Sequence, residues 1–165
     1  MSAQQPNIIT SASQARGEAL AQQTHREHSV LLESMHTLEA ALAEAAPRRE
    51  LTWNTRVIET LQTVEELLID HVSSAEGQHG VLAEIDILRP TLMRRVERLR
   101  QEHAELLQQT KALRQHVAHY GDEETPNFQE IRQRATRLLN ALRHHQAAET
   151  DLIFESLWTD LGASE

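Results

Sequence analysis

The 165-residue chain has no cysteine, so disulfides, thiolate metal sites and thiol catalysis are all excluded. Glycine and proline number only five and four and aromatic residues make up 3%, which leaves little material for a sheet. No apolar run approaches the roughly eighteen residues that a membrane-crossing helix needs. Nor does a basic segment followed by an apolar stretch open the sequence, so the chain is expected in the cytoplasm and off the membrane. Cationic clusters are scarce as well. A formal charge of −9 argues against nucleic acid as a partner, because phosphates call for grouped Lys and Arg. The one Arg-rich segment, Arg94, Arg95, Arg98 and Arg100, reads as a solvated helix face. No nucleophile triad, phosphate-binding loop or nucleotide motif is present.

What is present is a set of strong helix formers, Ala, Leu, Glu, Gln and Arg, in a chain long enough for one domain with its own core. Residues 1–12 read as a loose tail. Ser11 or Ser13 can cap a first helix that carries Leu31, Leu32, Met35, Leu38 and Leu42 at helical spacing and stops before Pro47. After a turn at Pro47-Arg48-Arg49, a second helix from about Glu50 to Glu76 carries Val57, Leu61, Val64, Leu68 and His71 on one face. Gly77 suits the position that ends it. Residues 77–89 suggest a turn and a short helical piece. Pro90 can open a third helix bearing Val96, Leu99, His103, Leu106, Leu107, Leu113 and Val117. A loop from Gly121 leads to a fourth helix, about Asn127 to Trp158, with Ile131, Ala135, Leu138, Leu142, His145, Glu149 and Leu152. Residues 161–165 form a short tail. Four helices with short connections predict an all-α fold, an antiparallel up-down four-helix bundle spanning residues 13–160.

The bundle is built twice. With an offset of 75, Glu27-His28 falls on Glu102-His103, and Leu31, Leu32, Leu38 and Leu42 fall on Leu106, Leu107, Leu113 and Val117. With an offset of 74, Val57, Val64, Leu68 and His71 fall on Ile131, Leu138, Leu142 and His145. Two helical hairpins of similar design, related by an approximate twofold, would place equivalent ligand sets on either side of one axis.

Ten histidines are the compositional oddity, and their placement matters more than their number. His145 and Glu149 are four residues apart, about 40° around a helix, and can share a metal. Each would be costly to bury without a partner. Read alone, the pair could equally be two polar residues at a frayed helix end. His71 and Glu76 are five apart, about 140° around a regular helix. Either the helix widens there by a π-bulge or Glu76 reaches in from the helix end. As a helix-end carboxylate it could also be merely solvated. His28 and His103 point inward with no carboxylate one turn away, a pattern that more often marks a hydrogen-bonded core histidine. Their pseudo-equivalence, each facing a His/Glu pair, favours ligation instead. His144 rivals His145, because it repeats the five-residue spacing to Glu149, but Leu138 and Leu142 lead into His145. His25, His36, His79, His116 and His119 lie off the stripes and are expected at the surface. His and Glu donors suit iron, with manganese or zinc as alternatives.

Taken in order, Glu27-His28, His71-Val-Ser-Ser-Ala-Glu76, Glu102-His103 and His145-xxx-Glu149 resemble the hemerythrin-like family, whose members share an HHE cation-binding domain. The resemblance covers roughly residues 20–160. It implies a non-haem di-iron centre, two iron ions with an oxo or hydroxo bridge. His28, His71, His103 and His145 would be terminal ligands, and Glu76 and Glu149 the bridging carboxylates. Oxygen-carrying members have a second histidine one turn after the first in the third helix, where this chain has Leu107. The near-symmetric, histidine-poor set is similar instead to bacterial and iron-sensing members. The resemblance then implies a protein that senses or reacts with iron or with small oxygen species (dioxygen, peroxide, nitric oxide), as a monomer or homodimer. One alternative is a di-iron enzyme that removes peroxide as a catalase or peroxidase does, although the sequence nominates no separate general acid or base. Another is a metal-free helical interaction bundle whose histidines are structural.

Overall fold

The structure is a computed structural model, which describes residues 6–44, 50–120 and 127–158. The turn expected at Pro47-Arg48-Arg49, most of the loop from Gly121 and the C-terminal tail lie outside these residues. Among the described residues every regular element is helical: α1 (Pro6–Ala43), α2 (Glu50–Glu76), α3 (Val81–Leu88), a 3-10 turn (Pro90–Leu92), α4 (Met93–His119) and α5 (Phe128–Trp158).

The long helices form where apolar residues recur every three or four positions. In α2 the buried set Val57, Leu61, Val64, Leu68, His71 and Ala75 is one such stripe, and in α4 Val96, Leu99, His103, Leu106, Thr110, Leu113 and Val117 is another. At the start of α5 the Asn127 side chain accepts from the Glu130 backbone N–H at 3.1 Å, an N-cap that fixes where the helix begins. Two boundaries differ from expectation. α1 runs back to Pro6, which suits a first helical turn because it lacks an N–H, so the loose tail expected over residues 1–12 is helical from there. Pro90 opens a 3-10 turn, and the α-helix proper starts at Met93.

α2 is regular to its last residue, Glu76, with no π turn. The chain then reverses tightly: Gly80 N–H donates to Gly77 C=O at 2.8 Å, and Glu84 N–H to Gly80 C=O at 3.1 Å, which starts α3. A Cβ on Gly80 would stand 2.3 Å from the Ser74 carbonyl oxygen and 2.4 Å from that of Ala75. Glycine here permits close backbone approach, which keeps α3 against the end of α2.

Each long helix packs on two others, in the cyclic order α1, α2, α4, α5, and α3 touches all four. The core falls into two clusters. The larger is built from Leu31, Met35, Leu38, Val57, Leu61, Leu68, Leu106, Leu113, Ile131 and Leu142 among others. The smaller gathers Ala75, Val81, Leu82, Ile85, Val96, Leu99, Leu152 and Ile153 around α3. Burying each leucine contributes about 1.5–3 kcal/mol, so the two clusters hold the helices in register independently of what lies between them. Between them lies a polar layer.

Candidate metal centre

That layer consists of His28, His71, His103, His145 and Glu149, one from α1, one from α2, one from α4 and two from α5, all buried. Each histidine sits one helical turn from the larger cluster (Leu31, Leu68, Leu106, Leu142), so the apolar stripes that build the core also aim the imidazoles inward. The ring centroids are close: 5.1 Å for His28–His71, 5.2 Å for His71–His103 and 4.5 Å for His103–His145. His144, the rival to His145, is exposed, and His145 is buried.

His71, His103, His145 and Glu149 each offer a ligand atom, and these atoms lie within 4.8 Å of one another. The Nε2 atoms of the three histidines and Glu149 Oε1 are buried and have no hydrogen-bond partner. His71 Nε2 does lie 3.1 Å from Glu149 Oε2, but off the line that a hydrogen bond requires. An unsatisfied buried polar atom costs about 1–3 kcal/mol, and four of them converging on one point is an expensive core unless a cation satisfies them together. The group is able to hold a metal ion.

The outward nitrogens are satisfied by carboxylates. His71 Nδ1 donates to Glu27 Oε2 at 3.1 Å, His145 Nδ1 to Glu102 Oε2 at 2.9 Å and His103 Nδ1 to Glu76 Oε1 at 2.7 Å. This placement fixes the proton on Nδ1 and leaves the Nε2 lone pairs facing inward, the arrangement in which carboxylates orient metal-ligating histidines. It also gives the repeated Glu-His dipeptides a meaning. In Glu27-His28 and Glu102-His103 the histidine faces the centre of its own helix pair. The glutamate, about 100° around the helix, reaches the histidine of the next helix. Glu27 and Glu102 were visible in the sequence as repeat partners, but their role was not, because it depends on a contact between helices. Gln23 extends the chain by donating to Glu27 Oε1 at 3.0 Å and to Ser74 Oγ at 2.9 Å.

Glu76 and His28 stand apart from the four-atom group. Because α2 stays regular, Glu76 approaches from the helix end rather than through a bulge. Its carboxylate bonds the outer nitrogen of His103, with the side chain 32% exposed. His28 Nε2 donates to Glu149 Oε2 at 2.6 Å. Of the outlying histidines, His25, His36, His79 and His119 are exposed as expected. His116 is half-buried instead, against the Tyr120 ring at 4.9 Å and near Glu130.

Electrostatics divide the layer. Burial pushes His103 down to about 3, with the neighbouring His145 adding to the effect. Burial also lowers His145, against the opposing pull of Glu102. Both are therefore neutral near pH 7, the form that binds metal. Burial would lower His71 too, but Glu149 and Glu27 outweigh it and raise the value. Burial would raise Glu149, yet the hydrogen bond from His28 and the nearby charges of His71 and His28 hold it well below the usual carboxylate range. Glu76 is raised by burial, with Arg100 opposing. The centre thus combines the neutral imidazoles of His103 and His145 with a fixed anion. This hard-to-borderline N/O set contains no sulfur, and it suits iron, manganese or zinc.

Comparison of the chain with protein-family models, with curated proteins and with solved structures finds no match. Among the described residues no helix is long and apolar enough to cross a membrane.

Proposed function

We propose that this chain is a hemerythrin-like protein, an antiparallel up-down four-helix bundle whose polar layer holds a non-haem di-iron centre that senses or reacts with small oxygen species. The observation that carries the reading is the convergence of three buried, unpartnered imidazole nitrogens and a buried carboxylate oxygen, backed by carboxylates on the outer nitrogens. The antiparallel course is supported by the clusters. The late residues of α1 pack with the early residues of α2, and the end of α4 packs with the start of α5. Bound iron would supply redox and ligand-binding chemistry. The chain's own part is to hold neutral imidazoles in one orientation, keep Glu149 ionised and exclude bulk water with the leucines above and below.

Protein grown with added iron is expected to contain about two irons per chain, measured by plasma mass spectrometry, with charge-transfer absorption that falls in His71→Ala and Glu149→Ala. A fully helical protein that takes up no metal after reconstitution would sink the reading in favour of a structural bundle. The position of Glu76 favours a second reading. With Glu76 on the outer nitrogen of His103 and His28 bonded to Glu149, the preformed donor set is three histidines and one carboxylate, which suffices for a single ion. Metal stoichiometry separates one ion from two.

A further inference from the structure

The repeat permits a comparison inside the molecule. Under the same offsets, the α1/α5 flank of the polar layer corresponds to the α4/α2 flank. Ala21 and Thr24 in α1 then stand where α4 has Val96 and Leu99, and Phe154 stands where the other half has Gly80. The α4/α2 flank is filled. Val96 and Leu99 are 0% and 3% exposed and pack with Val81 and Leu82 of α3, which Gly80 brings against the helix ends. On the α1/α5 flank, the smaller Ala21 and Thr24 stand where the filled flank has Val96 and Leu99.

The result is a solvent-open cleft of about 170 Å³ between α1 and α5, lined by Thr24, His28, Thr150, Ile153 and Phe154 among others. His28 is both a wall of this cleft and a hydrogen-bond partner of Glu149. It is also the most exposed of the four inward histidines, its side chain 10% exposed against 1–3% for His71, His103 and His145. We infer that the α1/α5 cleft is the entry and holding site for a small ligand of two or three heavy atoms, with His28 as the side chain between it and the metal layer. The volume corresponds to about six water molecules at roughly 30 Å³ each, below the range of metabolite pockets. The mixed wall, with Thr24, His25 and Thr150 beside Ile153 and Phe154, suits a weakly hydrated neutral molecule or a monoanion. This inference rests on the metal-binding reading for its purpose but not for its geometry.

Two measurements test it separately. Because the chain has no cysteine, a thiol introduced by Ala21→Cys, at a half-buried position in the cleft wall, reports access from the cleft, and Val96→Cys, at its fully buried counterpart, reports the sealed flank. With methyl methanethiosulfonate on the native protein, Ala21→Cys is expected to react at least about tenfold faster than Val96→Cys. Equal rates would overturn the inference whether or not metal binds. In iron(III)-loaded protein, the pair Ala21→Val with Thr24→Leu, which copies the sealed flank, is expected to slow azide association about tenfold or more by stopped-flow absorbance. Phe154→Ala, which opens the mouth, should raise that rate with iron content unchanged. Azide rates within about twofold of the parent in both iron-loaded variants would place the route elsewhere and overturn the proposal. Failure of every variant and of the parent to take up iron would instead remove the metal reading, with the labelling ratio still deciding the cleft.

Discussion

Gly80→Ala is the sharpest perturbation of this fold. The new Cβ would lie 2.3 Å from the Ser74 carbonyl oxygen, 2.4 Å from that of Ala75 and 2.7 Å from the Ala75 carbonyl carbon. Ordinary contact begins near 3.4 Å, so α3 must retreat by about 1 Å from the last turn of α2. The obstructing atoms are backbone, so no side-chain rotation can relieve the clash. Overpacking of this kind costs typically 1–3 kcal/mol, and the rigidity of the obstacle puts this case near the upper end, about 3 kcal/mol. For a chain of this size each kcal/mol shifts the melting temperature by about 2–4 °C, so a drop of about 6–12 °C is expected. Thermal and urea unfolding of chelator-treated protein, followed by far-ultraviolet circular dichroism, measures it. A change under about 2 °C would mean that α3 is not held against α2 as described, and the account of the sealed flank would fall with it.

Two further outcomes follow from the polar layer. Replacing either outer carboxylate, Glu27→Gln or Glu102→Gln, should leave the helices intact. It should weaken metal binding about 10–100-fold in a chelator competition, because the imidazole loses its charged orienting partner; an unchanged affinity would refute the orienting role. The metal-free protein should lose stability in acid through His103. Its folded value of about 3 lies below the ordinary 6.5, so the unfolded chain takes up the proton first as the pH falls through 6.5. That penalty grows toward pH 3 to at most about 5 kcal/mol. Glu149, also held low, adds a loss of the same sign below its ordinary 4.5, and the raised His71 contributes stability that fades instead as the pH rises above 6.5. Urea midpoints across this range should therefore fall with acid and fall less steeply in His103→Gln.

The helices and the inward direction of four histidines were legible because both follow from spacing within one element. Val57, Leu61, Val64 and Leu68 lead to His71 in α2 as Ile131, Leu138 and Leu142 lead to His145 in α5, and all six leading residues just named for α2 and α5 after Val57 are buried with it. The same register separates His145 from the exposed His144. Contacts between elements were not legible in this way. Glu27 and Glu102 stood out as repeats without a partner, because the imidazole each one binds belongs to another helix. Glu76 could be placed at a helix end but not assigned to the outer nitrogen of His103, which comes from α4. The filling of the α4/α2 flank depends on how Gly80 turns the chain, a matter of backbone approach that no hydrophobic pattern encodes. The early start of α1 is not legible in the sequence, because Pro6 can end a helix or open one.

The division of bonds in the polar layer sets an order of assembly. Glu27–His71 lies within the α1–α2 pair and Glu102–His145 within the α4–α5 pair, whereas His28–Glu149 and Glu76–His103 join one pair to the other. Each helix pair can therefore orient one of its own imidazoles before it meets its partner, and neither alone carries the whole donor set. Docking of the halves and completion of the centre become a single event. A cation bound there would act as a clasp between two pre-shaped modules, and its concentration would tune how firmly the halves stay joined.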